Sequence, residues 1–172
     1  MSPLHALTLA LHISVAICGA DQVSGHELTN AEAIATDVYR DIGVTIEWKE
    51  TCSDARLVVH LVASDVADAD VTATELALGY AQPGTRSATV LFDRVAKFAH
   101  RFGVKREVLL GYAMAHEMGH LLLPPNSHSI SGVMRASLNL ELAAEKRLRF
   151  TREQGALIVR TLENGPLTVA MN

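Results

Sequence analysis

The segment Tyr112 to Met134 reads YAMAHEMGHLLLPPNSHSISGVM. It sets His116 and His120 four residues apart, with Glu117 directly after the first. On an α-helix, positions i and i+4 share a face with Cβ atoms about 5–6 Å apart. Both imidazoles can then reach one ion at about 2.0–2.1 Å, the usual zinc–nitrogen distance. Glu117 projects toward the same cleft at another angle, where it can hold a metal-bound water without ligating the metal. Zinc lowers the pKa of such a water toward about 7, and a carboxylate beside it can take the proton and pass it to a leaving amine. The flanking Ala113, Met114, Ala115, Met118, Gly119 and Leu121 to Leu123 are not a solvated helix face. Two imidazoles and a carboxylate on such a helix are costly without a metal or partners. Gly119 costs about 1 kcal/mol in a helix interior, which implies close packing there.

A catalytic zinc needs a third protein ligand and one open position. His128 is the best candidate, because Pro124-Pro125-Asn126-Ser127 can end the helix and turn the chain back. Glu141, in the helical-looking ELAAE segment, is the rival. His5, His12, His26, His60 and His100 have no ligand spacing.

The elements that must position these residues are legible as periodicities. His5 to Cys18 alternates apolar and polar residues and predicts a half-buried strand. A helix follows, starting at one of two capping boxes, Ser24/Glu27 or Thr29/Glu32. Its apolar stripe is Leu28, Ala31, Ala35, Val38 and Ile42, and Gly43 closes it. Val44 to Lys49 and Arg56 to Ala63 read as strands, the first pair parallel across a right-handed crossover. Ser64 to Glu75 is Asp-rich without the spacing of a calcium loop and reads as a surface loop. Leu76 to Gln82 and Ser87 to Phe92 predict a hairpin around Pro83-Gly84. Asp93 to Phe102 predicts a short helix with Val95, Phe98, Ala99 and Phe102 on one side. Lys105 to Leu123 is the long helix, and Pro124 to Asn139 is irregular. A last helix starts at the Thr151/Gln154 capping box, with Leu157, Ile158 and Leu162 as its apolar side.

At 172 residues, 49% hydrophobic and 20% charged, the chain predicts one folded domain, 1–172. Residues 1–123 form the sheet and active-site helix. Residues 124–172 hold the third ligand, a methionine-bearing segment and the C-terminal helix. The net charge of -4 gives no reason to expect a nucleic-acid partner. Lys146, Arg147, Arg149 and Arg152 read as a solvated helix face. The N-terminal apolar run has no preceding Lys or Arg, alternates, and is too short to span a bilayer, so neither a signal peptide nor a membrane partner is expected. A cytoplasmic location is the default, with export left open. Cys18 and Cys52 read most simply as buried thiols, one disulfide being the alternative in an exported chain.

The motif resembles the active site of the metzincin clan of zinc peptidases, whose pattern is HExxHxxGxxH followed by a turn carrying methionine beneath the metal. His116, Glu117 and His120 match residue by residue. His128 corresponds to the third ligand two residues late, and Leu123 stands where the family has glycine. Ser131-Gly132-Val133-Met134 resembles the methionine turn. The block also resembles small uncharacterised bacterial proteins with an HExGHLLL…HS..G.MR pattern. The resemblance implies an α+β, zincin/metzincin-like fold: a mixed twisted sheet, a backing helix, an active-site helix and a small C-terminal helical part. It implies one catalytic zinc ion (Zn2+) on His116, His120 and His128, with Glu117 as general base and then acid. The implied activity is a metalloendopeptidase, with a peptide or protein substrate pairing to an edge strand in the Leu76–Phe92 hairpin. Some metzincins place an oxyanion-stabilising tyrosine just after the methionine turn. None is present here, leaving Tyr80, Tyr112 or a backbone N–H. The rival readings are a catalytically weak or inactive zinc-binding module mediating protein interaction, and a closed structural metal site.

Overall fold

The computed structural model describes residues 11–63, 77–82 and 84–165. Five strands form one mixed sheet in the order β2-β1-β3-β5-β4. They are β1 (Leu11–Cys18), β2 (Val44–Lys49), β3 (Leu57–Val62), β4 (Gly79–Ala81) and β5 (Ser87–Leu91). β1 pairs parallel with β2 on one side, Leu11 opposite Val44, and with β3 on the other, Val15 opposite Leu57. β3 and β5 are also parallel, and β4 returns antiparallel to β5 as the edge. The predicted parallel first pair and the hairpin are therefore present. The part of the first strand before Leu11, the Asp-rich Ser64–Glu75 stretch, Leu76 and Pro83 lie outside the described residues.

The helices are α1 (Gly25–Arg40), α2 (Phe92–Phe102), α3 (Arg106–Leu122), α4 (Leu140–Ala144) and α5 (Arg152–Glu163). Of the two candidate capping boxes for α1, the one at Ser24 is used: Glu27 N–H donates to Ser24 Oγ at 3.3 Å. Glu27 also accepts from Arg106 Nε at 2.6 Å, tying the start of α1 to the start of α3. Leu11, Ile13 and Val15 turn one face of β1 toward α1 and α3, in one apolar cluster with Val44, Ile46, Val59 and Val90. Gly111 lets the two helices meet, since a Cβ there would stand 2.6 Å from both Ala31 O and Ile34 Cβ. α3 is buried over nearly its whole length, as its apolar composition requires.

Three expectations need correction. Leu157 is 38% exposed, and α5 instead buries Gln154, Gly155, Ile158 and Leu162, a stripe stepping by three and four that leaves Leu157 about 100° off the buried line. Lys146, Arg147 and Arg149 lie in the turn between α4 and α5, with Lys146 at φ 57°, so no helix face presents them; Arg149 is anchored by donating to Lys146 O. Cys18 and Cys52 are joined as a disulfide rather than being buried thiols. That bridge packs on Ala16, Ala55 and Val58, a small cluster apart from the main core. It closes a loop with a sequence separation of 34 residues, for which chain entropy alone gives about 3–4 kcal/mol. Replacing both cysteines by serine is expected to lower unfolding free energy by about 2–4 kcal/mol, read as a lower urea midpoint with a steeper slope as the freed denatured chain expands. Among the described residues, no helix is long and apolar enough to cross a membrane.

Candidate metal centre

α3 presents His116, Glu117 and His120 on its sheet-facing end, and its geometry follows from what stops it. Leu123 caps it at φ -103° and ψ 158°, the extended conformation imposed on a residue before proline. Asn126 then takes φ 61°, a left-handed turn that asparagine tolerates. Together they reverse the chain and bring His128 back over the helix. Gln154 in α5 holds the reversal: its Nε2 donates to Ser127 O at 3.0 Å, while its Oε1 accepts from Thr151 N–H in the predicted capping box.

The methionine-bearing segment lies beneath. Gly132, at φ +80°, starts a turn closed by Arg135 N–H donating to Gly132 O at 3.4 Å. Val133 N–H donates to Arg149 O at 2.8 Å, and Ser129 N–H donates to Met134 O at 3.0 Å. Met134 is fully buried, and a Cβ on Gly119 would meet its Sδ at 2.5 Å. This is the close packing that a glycine inside a helix implied. Gly132→Ala combines left-handed strain with a clash against Arg149 O. It is expected to cost about 3 kcal/mol of stability, measured by denaturant unfolding.

The three imidazoles converge. His120 Nε2 lies 3.0 Å from His116 Nε2 and 3.1 Å from His128 Nε2. His116 Nδ1 is 2.7 Å from Val133 O, which can only accept, so Nδ1 carries the proton and Nε2 presents a bare lone pair. Ser127 Oγ contacts His120 Nδ1 at 3.3 Å. The three ring nitrogens lie within 4.8 Å of one another, each able to offer one ligand atom, so the donor set fits a metal ion. Burial lowers the His120 pKa to about 4, and burial also lowers that of His116, which favours the neutral form that a metal-binding imidazole requires. Burial pushes the Glu117 carboxyl up to about 8.

His128 stands in this group and Glu141 does not; Glu141 is exposed in the first turn of α4. Among the described residues no fourth His, Cys, Asp or Glu joins the three, so a closed four-ligand shell is not assembled from them. His12, His26, His60 and His100 stand apart from the group, and His5 lies outside the described residues.

The centre opens into a cleft of about 610 Å³ walled on one side by β4. A Cβ on Gly79 would stand 2.9 Å from Glu117 Cγ, so the missing side chain lets the strand lie against the carboxylate. Leu91 N–H donates to Leu78 O and Gln82 N–H to Ser87 O. Bonded residues alternate in an antiparallel ladder, so Gly79 and Ala81 turn their N–H and C=O groups to the edge that no described strand pairs. Tyr112 is 1% exposed, beside Arg149, and does not line the cleft. Tyr80 lines the cleft but alternates to the side of β4 opposite Gly79, the residue that meets Glu117.

No protein-family model matches the chain, nor does any curated protein. Among solved structures, an archaemetzincin from Methanopyrus kandleri is similar at a TM-score of 0.57 and 16% identity, covering 91% of this chain and 99% of that one. The fold is that of the archaemetzincins. A second archaemetzincin, from Archaeoglobus fulgidus and complexed with malonate, gives a TM-score of 0.47 at 14% identity over 85% of this chain and 99% of that one. Myroilysin gives 0.38 at 12% identity over 63% and 46%. The α+β, mixed-sheet expectation therefore stands: this chain has a metzincin-like fold with a three-histidine group that could bind a metal ion.

The groups that orient this archaemetzincin-fold site were not visible in the sequence. Val133 acts through its carbonyl, which no side-chain pattern signals. Gln154 was legible only as half of a capping box. Its second bond, to Ser127, makes it a positioning residue. Gln154→Leu is expected to weaken zinc affinity about 10–100-fold, the usual cost of losing an outer partner, measured by competition against a chromogenic chelator.

Proposed function

We propose that the chain is a zinc-dependent metalloendopeptidase, with His116, His120 and His128 holding the ion and Glu117 acting as general base and then acid. The observation that carries this reading is the convergence of three imidazole nitrogens beside a buried carboxylate, at the foot of a cleft walled by a sheet edge. A zinc ion bound there would supply Lewis acidity and lower the pKa of a water toward about 7. The substrate lies extended along β4, hydrogen-bonded to the free N–H and C=O groups of Gly79 and Ala81. Its scissile bond thereby comes over the imidazole group. Glu117 accepts the proton of the attacking water and returns it to the leaving amine. The apolar packing around Glu117 shields that transfer from bulk water and raises the basicity of the carboxylate.

A second reading, a zinc-binding module without efficient hydrolysis, draws support from the burial of Tyr112, which does not line the cleft. Metal analysis joined to a peptide-library cleavage assay separates the two. Stoichiometric zinc with chelator-sensitive cleavage is expected. Stoichiometric zinc without it would leave the module and sink the peptidase.

A further inference from the structure

Among the described residues, one cationic side chain lines the cleft without a partner. Arg135 follows Met134 directly and lines the cleft with His128 and Glu117. Among the described residues that line it, Arg135 is the one Lys or Arg and Glu117 the one Asp or Glu. The Arg135 guanidinium makes no hydrogen bond or ion pair with any described residue. Other arginines of the chain are engaged: Arg40 with Asp37, Arg106 with Glu27, Arg147 with Glu145, and Arg86 with Ala55 O.

Its backbone is held firmly. The turn from Gly132 fixes Arg135 N–H, and a parallel bridge pairs Arg135 with Ser129, the residue after His128. The backbone that carries this exposed side chain is thus held between the buried Met134 and the bridge to Ser129, rather than on a free loop, and the side chain lines the same cleft as His128. Its planar fork matches a carboxylate with two parallel hydrogen bonds. A divalent cation on the histidines together with Arg135 outweighs Glu117. The cleft is then net positive in a chain whose overall charge is -4, which favours an anionic occupant.

We propose that Arg135 is a carboxylate anchor, so that the peptides this site takes carry an acidic group close to the scissile bond. The group is a Glu or Asp side chain or a free C-terminus. As a statement of substrate class this rests on the peptidase reading of the same cleft. The anchor itself is a binding property and is tested apart from turnover.

The test uses the zinc-loaded full chain and peptides that differ in one group. Glutamate, glutamine or lysine is scanned across the positions around the scissile bond, each peptide with either a free or an amidated C-terminus. Wild type is expected to favour carboxylate-bearing peptides by about tenfold in kcat/KM, the usual scale of a charge-assisted hydrogen-bonded pair. In Arg135→Ala that ratio falls toward one, and in Arg135→Glu it inverts in favour of lysine-bearing peptides. A preference that follows the Glu/Gln exchange assigns the side chain, and one that follows amidation assigns the C-terminus. Fluorescence anisotropy of the same peptides on the Glu117→Ala protein reads binding without turnover. Selective binding that Arg135→Glu inverts, with no cleavage by the intact enzyme, supports the anchor and overturns the peptidase reading. Cleavage with no selectivity in wild type, or selectivity that survives in Arg135→Ala, overturns the anchor and leaves the peptidase. Neither cleavage nor binding of any peptide overturns both.

Discussion

On the peptidase reading, replacing Glu117 by glutamine is expected to lower kcat/KM for peptide hydrolysis by about 10²–10⁴-fold, the usual contribution of a positioned general base, with zinc still bound. The replacement keeps the shape of the side chain and its packing against Gly79, so unfolding is not the cause of the loss. Stability supplies the control. Burial raises the Glu117 carboxyl to about 8 in the metal-free fold, against an ordinary value of 4.5. A folded-state pKa above the unfolded one means that the fold keeps its proton longer. The stability tied to that proton is full below about 4.5 and is lost as pH rises through about 8. Metal-free Glu117→Gln cannot lose a proton there. It is expected to be more stable than metal-free wild type at pH 9 and to match it near pH 4. Thermal melts of both chelated proteins across that range check the sign. A Glu117→Gln protein that melts lower than wild type at pH 9 would refute burial as the cause. Retained hydrolysis would refute the catalytic role.

Removing the metal is the second large effect. A site occupied at a free zinc concentration 1,000-fold above its dissociation constant stabilises the fold by about 4 kcal/mol. For a domain of this size that corresponds to roughly 8–16 °C in thermal midpoint. Chelation is expected to lower the midpoint by that amount, and zinc to restore it. His128→Ala is expected to bind zinc at least about 100-fold more weakly and to melt at the chelated position with or without zinc. Glu141→Ala is expected to behave as wild type in both measurements, because Glu141 is exposed and outside the histidine group. The opposite pattern, with Glu141→Ala losing the metal and His128→Ala keeping it, would move the third ligand to α4.

The sequence was most legible where a feature is local. The Ser24 and Thr151 boxes are set by side chains three residues from the groups they satisfy, and both form. Pro124 ends α3 by steric conflict with the residue before it, and the helix stops there. Alternation marked β1 and β2, a β-branched apolar run marked β3, and the Pro-Gly turn marked the hairpin of β4 and β5. Legibility failed where distant segments compete for the same surface. Leu157 has the composition of a core residue, but α5 docks through Gly155 against Ile42, and that contact decides which stripe faces inward. The charged residues after α4 looked helical by composition, yet they form a turn whose carbonyl at Arg149 holds Val133. The partner of Cys18 depends on two strand ends meeting, and spacing alone left it open.

By itself, then, the sequence determined the pair of imidazoles and the carboxylate of α3, because i and i+4 share a face on any α-helix. It determined too that Gly119 had to meet something closely, and where the helix would end. Only the tertiary structure decided that His128 completes the group, because the step from His120 is carried by a left-handed Asn126 and a glutamine from another helix. Only the tertiary structure set Gly79 against Glu117 and Arg135 beside the third imidazole. Gly79 and Glu117 come from segments far apart in the sequence and meet through the packing of the sheet on α3, while Arg135 reaches His128 through a turn whose bridge to Ser129 no side-chain pattern signals.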